Sequence, residues 1–406
     1  MTLGVGGSSM AAELERMHSV RDQAVPIGDD ERRARVGRVQ AEMRRRGVQA
    51  LYLDVSTSCF YFTGLRGRAT ERLHGVVVPA EGTLVYVAPA FEEAKLRTMI
   101  TLEGEVRVWQ EHESPTALVI ETVRELGYAN GTIAIDAATP FFTFDGLRRA
   151  GNAFDFVNAA EVVAACRMVK SAGEIALIRQ AMAMTLQVQK AAGRILHEGI
   201  STTEVQSFIT QAHARLGADP AFTFCIVLFG EPTAYPHGVN YPQVLREEDM
   251  VLIDIGATLH GYQSDLTRSY VFGEGSARQR AVWEVEKAAT EAVFAAARLG
   301  AACEALDAAA RGVIEGAGFG RDYALPGLPH RTGHGIGLDV HEEPYIVRGD
   351  ATTLALGMCF SNEPTICIYG EFGVRLEDHI YMDERGANWF TKPSPSFDDP
   401  LDAGPA

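Results

Sequence analysis

Residues 251–268 read VLIDIGATLHGYQSDLTR and place two aspartates, Asp254 and Asp265, eleven residues apart. The apolar run before Asp254 is typical of a buried strand, and the residues from Tyr262 onward are typical of its returning partner. If residues 259 and 260 form a two-residue loop, the two aspartates stand directly opposite each other, with Cβ atoms about 4.5–5.5 Å apart. Carboxylates this close resist ionisation, so the pairing predicts a cation, a shared proton or a basic partner. Two solvent-facing aspartates beside a turn are the alternative at this point.

A second acid pair lies in residues 361–380, SNEPTICIYGEFGVRLEDHI. Glu363 and Glu377 are centred on Gly370, so an odd-length loop around this glycine would also pair two acids on one face of a hairpin. One such pairing could be coincidence. Two hairpins that each pair acids favour a shared site.

The histidines narrow this interpretation, because three of the eleven lie in residues 329–343, PHRTGHGIGLDVHEE. Glycines on both sides of His334 permit a tight turn, and His341 follows seven residues later. His237 lies in a Tyr-Pro-His-Gly turn ahead of the first hairpin. Four carboxylates and one imidazole suit Mn²⁺, Co²⁺, Fe²⁺ or catalytic Zn²⁺ better than a thiolate-held structural zinc. Two divalent ions would neutralise the four charges.

Together these motifs resemble those of the creatinase, aminopeptidase P, prolidase and methionine aminopeptidase superfamily, peptidase family M24. The matching motifs are D-x-G, S-D-L-T-R, G-H-G-I-G-L-x-x-H-E-x-P, N-E-P and R-L-E-D. The resemblance covers about residues 167–385 and implies an α+β pita-bread catalytic domain. The strands and helices that alternate before it resemble the α/β N-terminal domain of creatinase, aminopeptidase P and prolidase members. The expected divisions are an N-terminal arm (1–30), this α/β domain (31–166), the pita-bread domain (167–392) and a loose C-terminal tail (393–406).

The resemblance implies a role for each matched position. Asp254 would chelate one of two divalent metal ions (Mn, Co or Zn), Asp265 and Glu377 would bridge both, and His334 and Glu363 would complete the second. His237 would contact the substrate or the transition state, and His341 would hydrogen-bond the scissile peptide group or shuttle a proton. Glu377 would handle the proton of hydrolysis. Arg375 would not bind metal itself but would orient the ligand carboxylates.

The implied reaction is hydrolysis of the Xaa-Pro bond, in dipeptides (a prolidase) or at the N-terminus of short peptides (an Xaa-Pro aminopeptidase), by a hydroxide between the two ions. A dipeptidase needs a cation for the substrate carboxylate. Arg348 is the candidate, and a solvated loop arginine is the alternative.

The sequence departs from the common family pattern at three positions. Other members often have tyrosine at the position of Thr223, glycine at that of Thr365, and threonine or asparagine at that of His379. Competing functions are a metal-dependent hydrolase or lyase that acts on another small molecule with the same fold, and a non-catalytic pita-bread binding module.

The composition excludes several other functions. A formal net charge of −16 disfavours nucleic acid or an anionic membrane as the main partner. No apolar run of about 20 residues and no signal peptide are present, so no membrane span is expected. Six scattered cysteines without a CxxC motif indicate reduced thiols in a cytoplasmic protein. The resemblance adds the expectation of a homodimer.

Overall fold

The computed structural model describes residues 2–220 and 224–403, and the chain divides into two compact units. One unit is formed by Ile27–Arg167, and the other combines Met1–Pro26 with Met168–Ala406. A short helix, α1 (Met10–Glu15), begins the second unit. Within the described residues, no helix is both long and apolar enough to cross a membrane.

The unit Ile27–Arg167 is an α/β fold, as the alternating pattern predicts. Its elements are α2 (Asp29–Arg46), β1 (Val48–Asp54), α3 (Thr57–Thr63), β2 (Gly75–Pro79), β3 (Leu84–Pro89), α4 (Glu93–Met99), β4 (Gly104–Trp109), α5 (Pro115–Glu125), β5 (Gly131–Ile135), α6 (Phe141–Ala150), β6 (Phe154–Asn158) and α7 (Ala160–Arg167). The strands form one sheet in the order β4-β3-β2-β1-β5-β6, in which β1 pairs antiparallel with β2 and parallel with β5. Apolar side chains of α5, including Val119 and Val123, pack on this sheet.

The second unit contains two helix pairs and several small sheets. Its remaining elements are α8 (Ala172–Arg194), α9 (Thr202–Leu216), β7 (Phe224–Phe229), β8 (Met250–Gly256), β9 (Thr258–Leu259), β10 (Tyr262–Gln263), β11 (Leu266–Val271), α10 (Ala277–Ala296), α11 (Cys303–Gly316), β12 (Gly333–Gly335), β13 (Glu342–Ile346), β14 (Cys359–Asn362), β15 (Thr365–Ile368), β16 (Phe372–Arg375), β17 (Asp378–Asp383) and β18 (Gly386–Trp389). The main sheets have the orders β11-β8-β7 and β13-β12-β14-β17-β18, and β15 pairs with β16.

Each helix pair covers one set of acid-bearing strands. Helices α8 and α9 begin at the capping boxes predicted from the sequence, Ser171 with Glu174 and Ser201 with Glu204. Their buried side chains share a core with Val251 and other residues of β8. Helices α10 and α11 share a second core with strands β14 and β16. Because side chains alternate along a strand, the residues between those that face the helices can project into a site.

The two termini differ from the sequence-based expectation. Residues 1–30 are predicted to be an arm, but Met17 is buried and Val5 and Leu14 pack against the core of the second unit. The tail is predicted to be loose, but Phe397 and Leu401 are also buried. The glycines, prolines and charged residues of both segments predict chain that does not pack against the folded core. The few apolar side chains among them nevertheless find core positions, and that burial determines where the segments lie.

All six cysteines lie in the described part of the chain, and none forms a disulfide. Five are buried and Cys225 is half-buried, in agreement with the reduced thiols expected from the sequence.

Candidate metal centre

The first hairpin brings its aspartates to one face, although its register is not the predicted one. Strands β8 and β11 pair Asp254 with Thr267, and β9 and β10 pair Leu259 with Tyr262. The two-residue loop is therefore His260-Gly261, whose φ angles are 51° and 94°. Such a loop requires positive φ at both central residues, which glycine adopts readily and a buried strand residue such as Leu259 does not. The direct pairing of Asp254 with Asp265 is wrong by two positions, and a shift of two keeps both side chains on the same face.

Gly256 explains the D-x-G motif of this hairpin. A Cβ atom at this position would collide with the carbonyl oxygen of Ser264 on the returning strand. Ser264 in turn exchanges hydrogen bonds with the backbone of Ala257. The glycine thus allows the two strands to come close next to both aspartates.

The second hairpin has the register predicted from the sequence. Strands β15 and β16 pair Thr365 with Arg375 around the loop Tyr369–Glu371, in which Gly370 has a φ of 82°. Strands β14 and β17 continue the same register and pair Asn362 with Asp378. Glu363 and Glu377 lie between these two paired segments and are therefore opposite each other.

His334 lies on the short strand β12 rather than in the predicted tight turn. Cβ atoms at Gly333 and Gly335 would collide with carbonyl oxygens of the neighbouring strands, so the glycines let β12 fit between β13 and β14. The Nδ1 atom of His334 lies 3.0 Å from the carbonyl oxygen of Gly335, and donation of a proton there leaves Nε2 as the ligand atom. Nε2 lies 2.8 Å from Glu363 Oε1 and 3.7 Å from Asp265 Oδ2.

The donor set fits a divalent metal ion. Asp265, His334 and Glu377 are buried, and their ligand atoms lie within 4.8 Å of one another. In the part of the chain that the structure describes, Asp254 Oδ1, Asp265 Oδ1 and Glu377 Oε1 are buried oxygens without a hydrogen-bond partner. Buried oxygens without partners are costly, and a cation would supply what they lack.

The pKa values of the four acids also favour a bound cation. Burial raises the pKa of Asp265 and of Glu377 well above the usual range, and neighbouring carboxylates raise it further. Burial also raises the pKa of Asp254, against the opposing effect of Arg375. For Glu363, the effect of burial is overcome by His334, which lowers the pKa of this carboxyl below its usual range. The four carboxyl groups together need nearby positive charge before all of them can ionise, and a bound divalent ion would supply it.

Arg375 connects several of these groups. Its guanidinium donates to Asp254 Oδ2 at 2.5 Å, to Thr267 Oγ1 at 3.1 Å and to the carbonyl oxygen of Pro236 at 3.2 Å. Thr267 donates its hydroxyl proton to Glu377 Oε2 at 2.7 Å. This chain of hydrogen bonds fixes the orientation of two acids from opposite hairpins.

The site opens into a cavity of about 610 Å³. Its lining includes all five predicted metal ligands together with three further predicted residues, His237, His341 and Arg375. The rings of His334 and His341 meet edge to face, with centroids 4.2 Å apart. Burial, with further lowering by His334, brings the pKa of His341 to about 4, so this imidazole is neutral at pH 7. Phe224, Ile226 and Val340 give the cavity an apolar wall.

One predicted site residue does not reach the cavity. The side chain of Arg348 is 54% exposed and forms an ion pair with Asp322 at 2.5 Å. The structure therefore does not bring Arg348 into the cavity with the other predicted site residues. Thr223, where other members often have tyrosine, lies outside the described residues.

Two further cavity residues, His330 and Arg331, are not among the site residues that the sequence predicts. His330 Nε2 lies 3.1 Å from Thr365 Oγ1, and its Nδ1 lies 2.6 Å from the carbonyl oxygen of Arg331. Thr365, one of the departures from the common family pattern, thus has a contact in the site. The signal for both residues is their place in the histidine-rich segment, but single histidines and arginines in such segments are often structural.

Comparison with known proteins identifies the family. Residues 176–384 match the protein-family model described as "Metallopeptidase family M24". Residues 35–169 match the model described as "Creatinase/Prolidase N-terminal domain". The chain therefore belongs to metallopeptidase family M24. It is 36% identical over 344 residues to the probable dipeptidase PepE of Mycobacterium tuberculosis, covering 84% of this chain and 89% of that protein.

Solved structures agree with this membership. Dipeptidase PepE from Mycobacterium ulcerans superposes with a TM-score of 0.83 at 32% identity, covering 91% of this chain and 97% of that one. A prolidase from Thermococcus sibiricus gives 0.81 at 32% identity, covering 88% and 96%. The expected fold, a creatinase-type α/β domain followed by an α+β pita-bread domain, is confirmed.

Proposed function

We propose that this protein is a dipeptidase that hydrolyses the Xaa-Pro bond with two divalent metal ions (Mn, Co or Zn). The observation that carries the proposal is that one cavity is lined by all five predicted ligands, Asp254, Asp265, His334, Glu363 and Glu377. Its volume, about 610 Å³, is in the range of sites that enclose small molecules. The dipeptidase and prolidase named among the similar proteins support a small peptide as the substrate.

Two divalent ions in such a site supply an activated water molecule and polarise the carbonyl group of the substrate. The side chains around them orient and protect the reaction. His237 and His341 line the cavity and can donate hydrogen bonds to the carbonyl oxygen as negative charge develops on it. Thr267 holds one oxygen of Glu377, Oε2, and so orients the carboxylate that would accept the proton released during attack.

A proline at the second position suits this arrangement. The Xaa-Pro bond is a tertiary amide without an N–H group, so it lacks the donor that many peptidases bind. A site that holds the free amine and the carbonyl oxygen does not need that donor. The apolar wall formed by Phe224, Ile226 and Val340 can pack against the pyrrolidine ring.

Hydrolysis of Ala-Pro and Ala-Pro-Ala in the presence of Mn²⁺, Co²⁺ or Zn²⁺ tests the proposal. We expect metal-dependent cleavage of Ala-Pro that is abolished by chelator. Glu377→Gln should lower kcat by about a hundredfold or more, since it removes a ligand and a proton acceptor. Glu384→Gln is the matched control, because Glu384 is exposed and the substitution is the same. If the protein cleaves neither Ala-Pro nor Ala-Pro-Ala with any of the three metal ions, the proposed function is refuted.

The expected homodimer remains part of the proposal, on the basis of the family resemblance alone. Sedimentation equilibrium of the full chain would test it directly. A monomer at micromolar concentration would contradict this expectation and leave the proposed reaction unchanged.

A further inference from the structure

The cavity has a second arginine whose charge the site itself does not use. Arg331 and Arg375 both line the cavity. Arg375 is buried and bonded to Asp254, Thr267 and the backbone of Pro236. Arg331 is half-buried, and among residues 2–220 and 224–403 no carboxylate forms an ion pair with it. One cavity arginine therefore serves the ligand carboxylates, and the other remains available to a substrate.

The position of Arg331 is fixed by its surroundings. Its carbonyl oxygen is held by His330 Nδ1 at 2.6 Å, and the next residue, Thr332, donates its backbone N–H to Ile346 at 3.0 Å. The Arg331 guanidinium stacks over the ring of Tyr345, 4.5 Å from the centroid. This contact restrains the guanidinium and uses none of its N–H donors, so they remain available for a carboxylate.

A dipeptide presents one chemical group that a longer peptide lacks at the same place, a carboxylate on its second residue. Arg375 already has a carboxylate partner, Asp254, 2.5 Å away. Among the described residues that line the cavity, Arg331 is the arginine without such a partner. We propose that Arg331 binds the C-terminal carboxylate of the substrate and makes the site selective for dipeptides, an inference that rests on the proposed function.

Arg348 provides a matched comparison, because Arg331 lies two residues before β12 and Arg348 lies two residues after β13. Strands β12 and β13 pair Gly333 with Ile346, so continuation of this register would place Arg331 across from Arg348. Arg331 lines the cavity, whereas Arg348 is exposed and bound to Asp322. The two arginines differ in what they face, so replacing each in turn separates a role in the cavity from a general effect of charge.

The test compares Ala-Pro with Ala-Pro amide, which has the same scissile bond and no terminal charge. For Arg331→Met we expect the KM for Ala-Pro to rise by about tenfold to a hundredfold, the usual effect of losing a charge-assisted hydrogen bond. The kcat for Ala-Pro and both constants for the amide should change little, and Arg331→Lys should restore part of the loss. Arg348→Met should resemble the wild type with both substrates.

The outcomes distinguish the two proposals. If the wild type cleaves Ala-Pro and Arg331→Met does so with the same KM, the role of Arg331 is refuted and the proposed function stands. Equal kcat/KM of the wild type for the dipeptide and the amide would also overturn it. If the wild type cleaves neither substrate with any of the three metals, the proposed function itself fails. Equal metal content and circular dichroism spectra of the variants show that a change in KM does not come from misfolding.

Discussion

The α/β unit contains a buried acid whose removal should stabilise the protein at neutral pH. Asp54 ends strand β1, is 4% exposed and lies near a second buried acid, Asp136. Burial raises the pKa of Asp54 to about 6, and the charge of Asp136 adds to this effect. Hydrogen bonds from the Val55 backbone and the Tyr52 hydroxyl act in the opposite direction but do not overcome it.

The pH dependence follows from this raised pKa. The folded state binds the proton of Asp54 more tightly than the unfolded state, whose aspartates have a pKa of about 3.9. Stability contributed by the protonated form is therefore present below about pH 4 and is lost as the pH rises to about 6. A difference of about two pKa units corresponds to about 3 kcal/mol of the free energy of unfolding above that range. Asp54→Asn removes the charge and keeps the shape, so it should recover up to this amount at pH 7 and almost none at pH 3.5.

Hydrogen–deuterium exchange measures this change within the unit concerned. Protection of β1, corrected for the pH dependence of intrinsic exchange, should rise about a hundredfold at pH 7 in Asp54→Asn. Strand β8 of the other unit serves as an internal reference. Asp155→Asn, an exposed aspartate on β6 of the same sheet, should have no effect. Unchanged protection of β1 at pH 7, or an equal gain at both pH values, would refute the argument.

Two further predictions concern the metal centre and the C-terminus. Excess chelator should lower the melting temperature. Without ions, the buried carboxylates of Asp265 and Glu377 lie close together and each has an oxygen without a hydrogen-bond partner. An unchanged melting temperature would contradict a resident metal. Leu401→Ala should lower the free energy of unfolding by roughly 2–5 kcal/mol, as expected for a buried leucine, whereas Leu356→Ala at an exposed position should cost little. Urea denaturation checks the second prediction, and equal losses in the two variants would indicate that the tail does not contribute to the core.

Much of the catalytic unit could be predicted because its signals are local. The second hairpin is the clearest example, since its odd loop around Gly370 determines that Glu363 and Glu377 lie in one register. For the first hairpin, the predicted loop lies one residue too early. The turn itself contains one glycine, Gly261, and the sequence does not say whether its loop partner precedes or follows it. The shift of two positions moves Asp265 along the strand without turning it to the other face, so both aspartates still face the site.

By itself, the sequence determined the family, the two-domain fold, the hairpin that pairs Glu363 with Glu377, and the residue types able to bind a metal. These follow from patterns within short stretches and from motifs that resemble those of a known family. The tertiary structure decided which arginine lines the cavity, Arg331 rather than Arg348, and that both termini belong to the folded core. Such outcomes depend on packing between segments far apart in the chain, and neither the spacing nor the composition of any one segment contains that information.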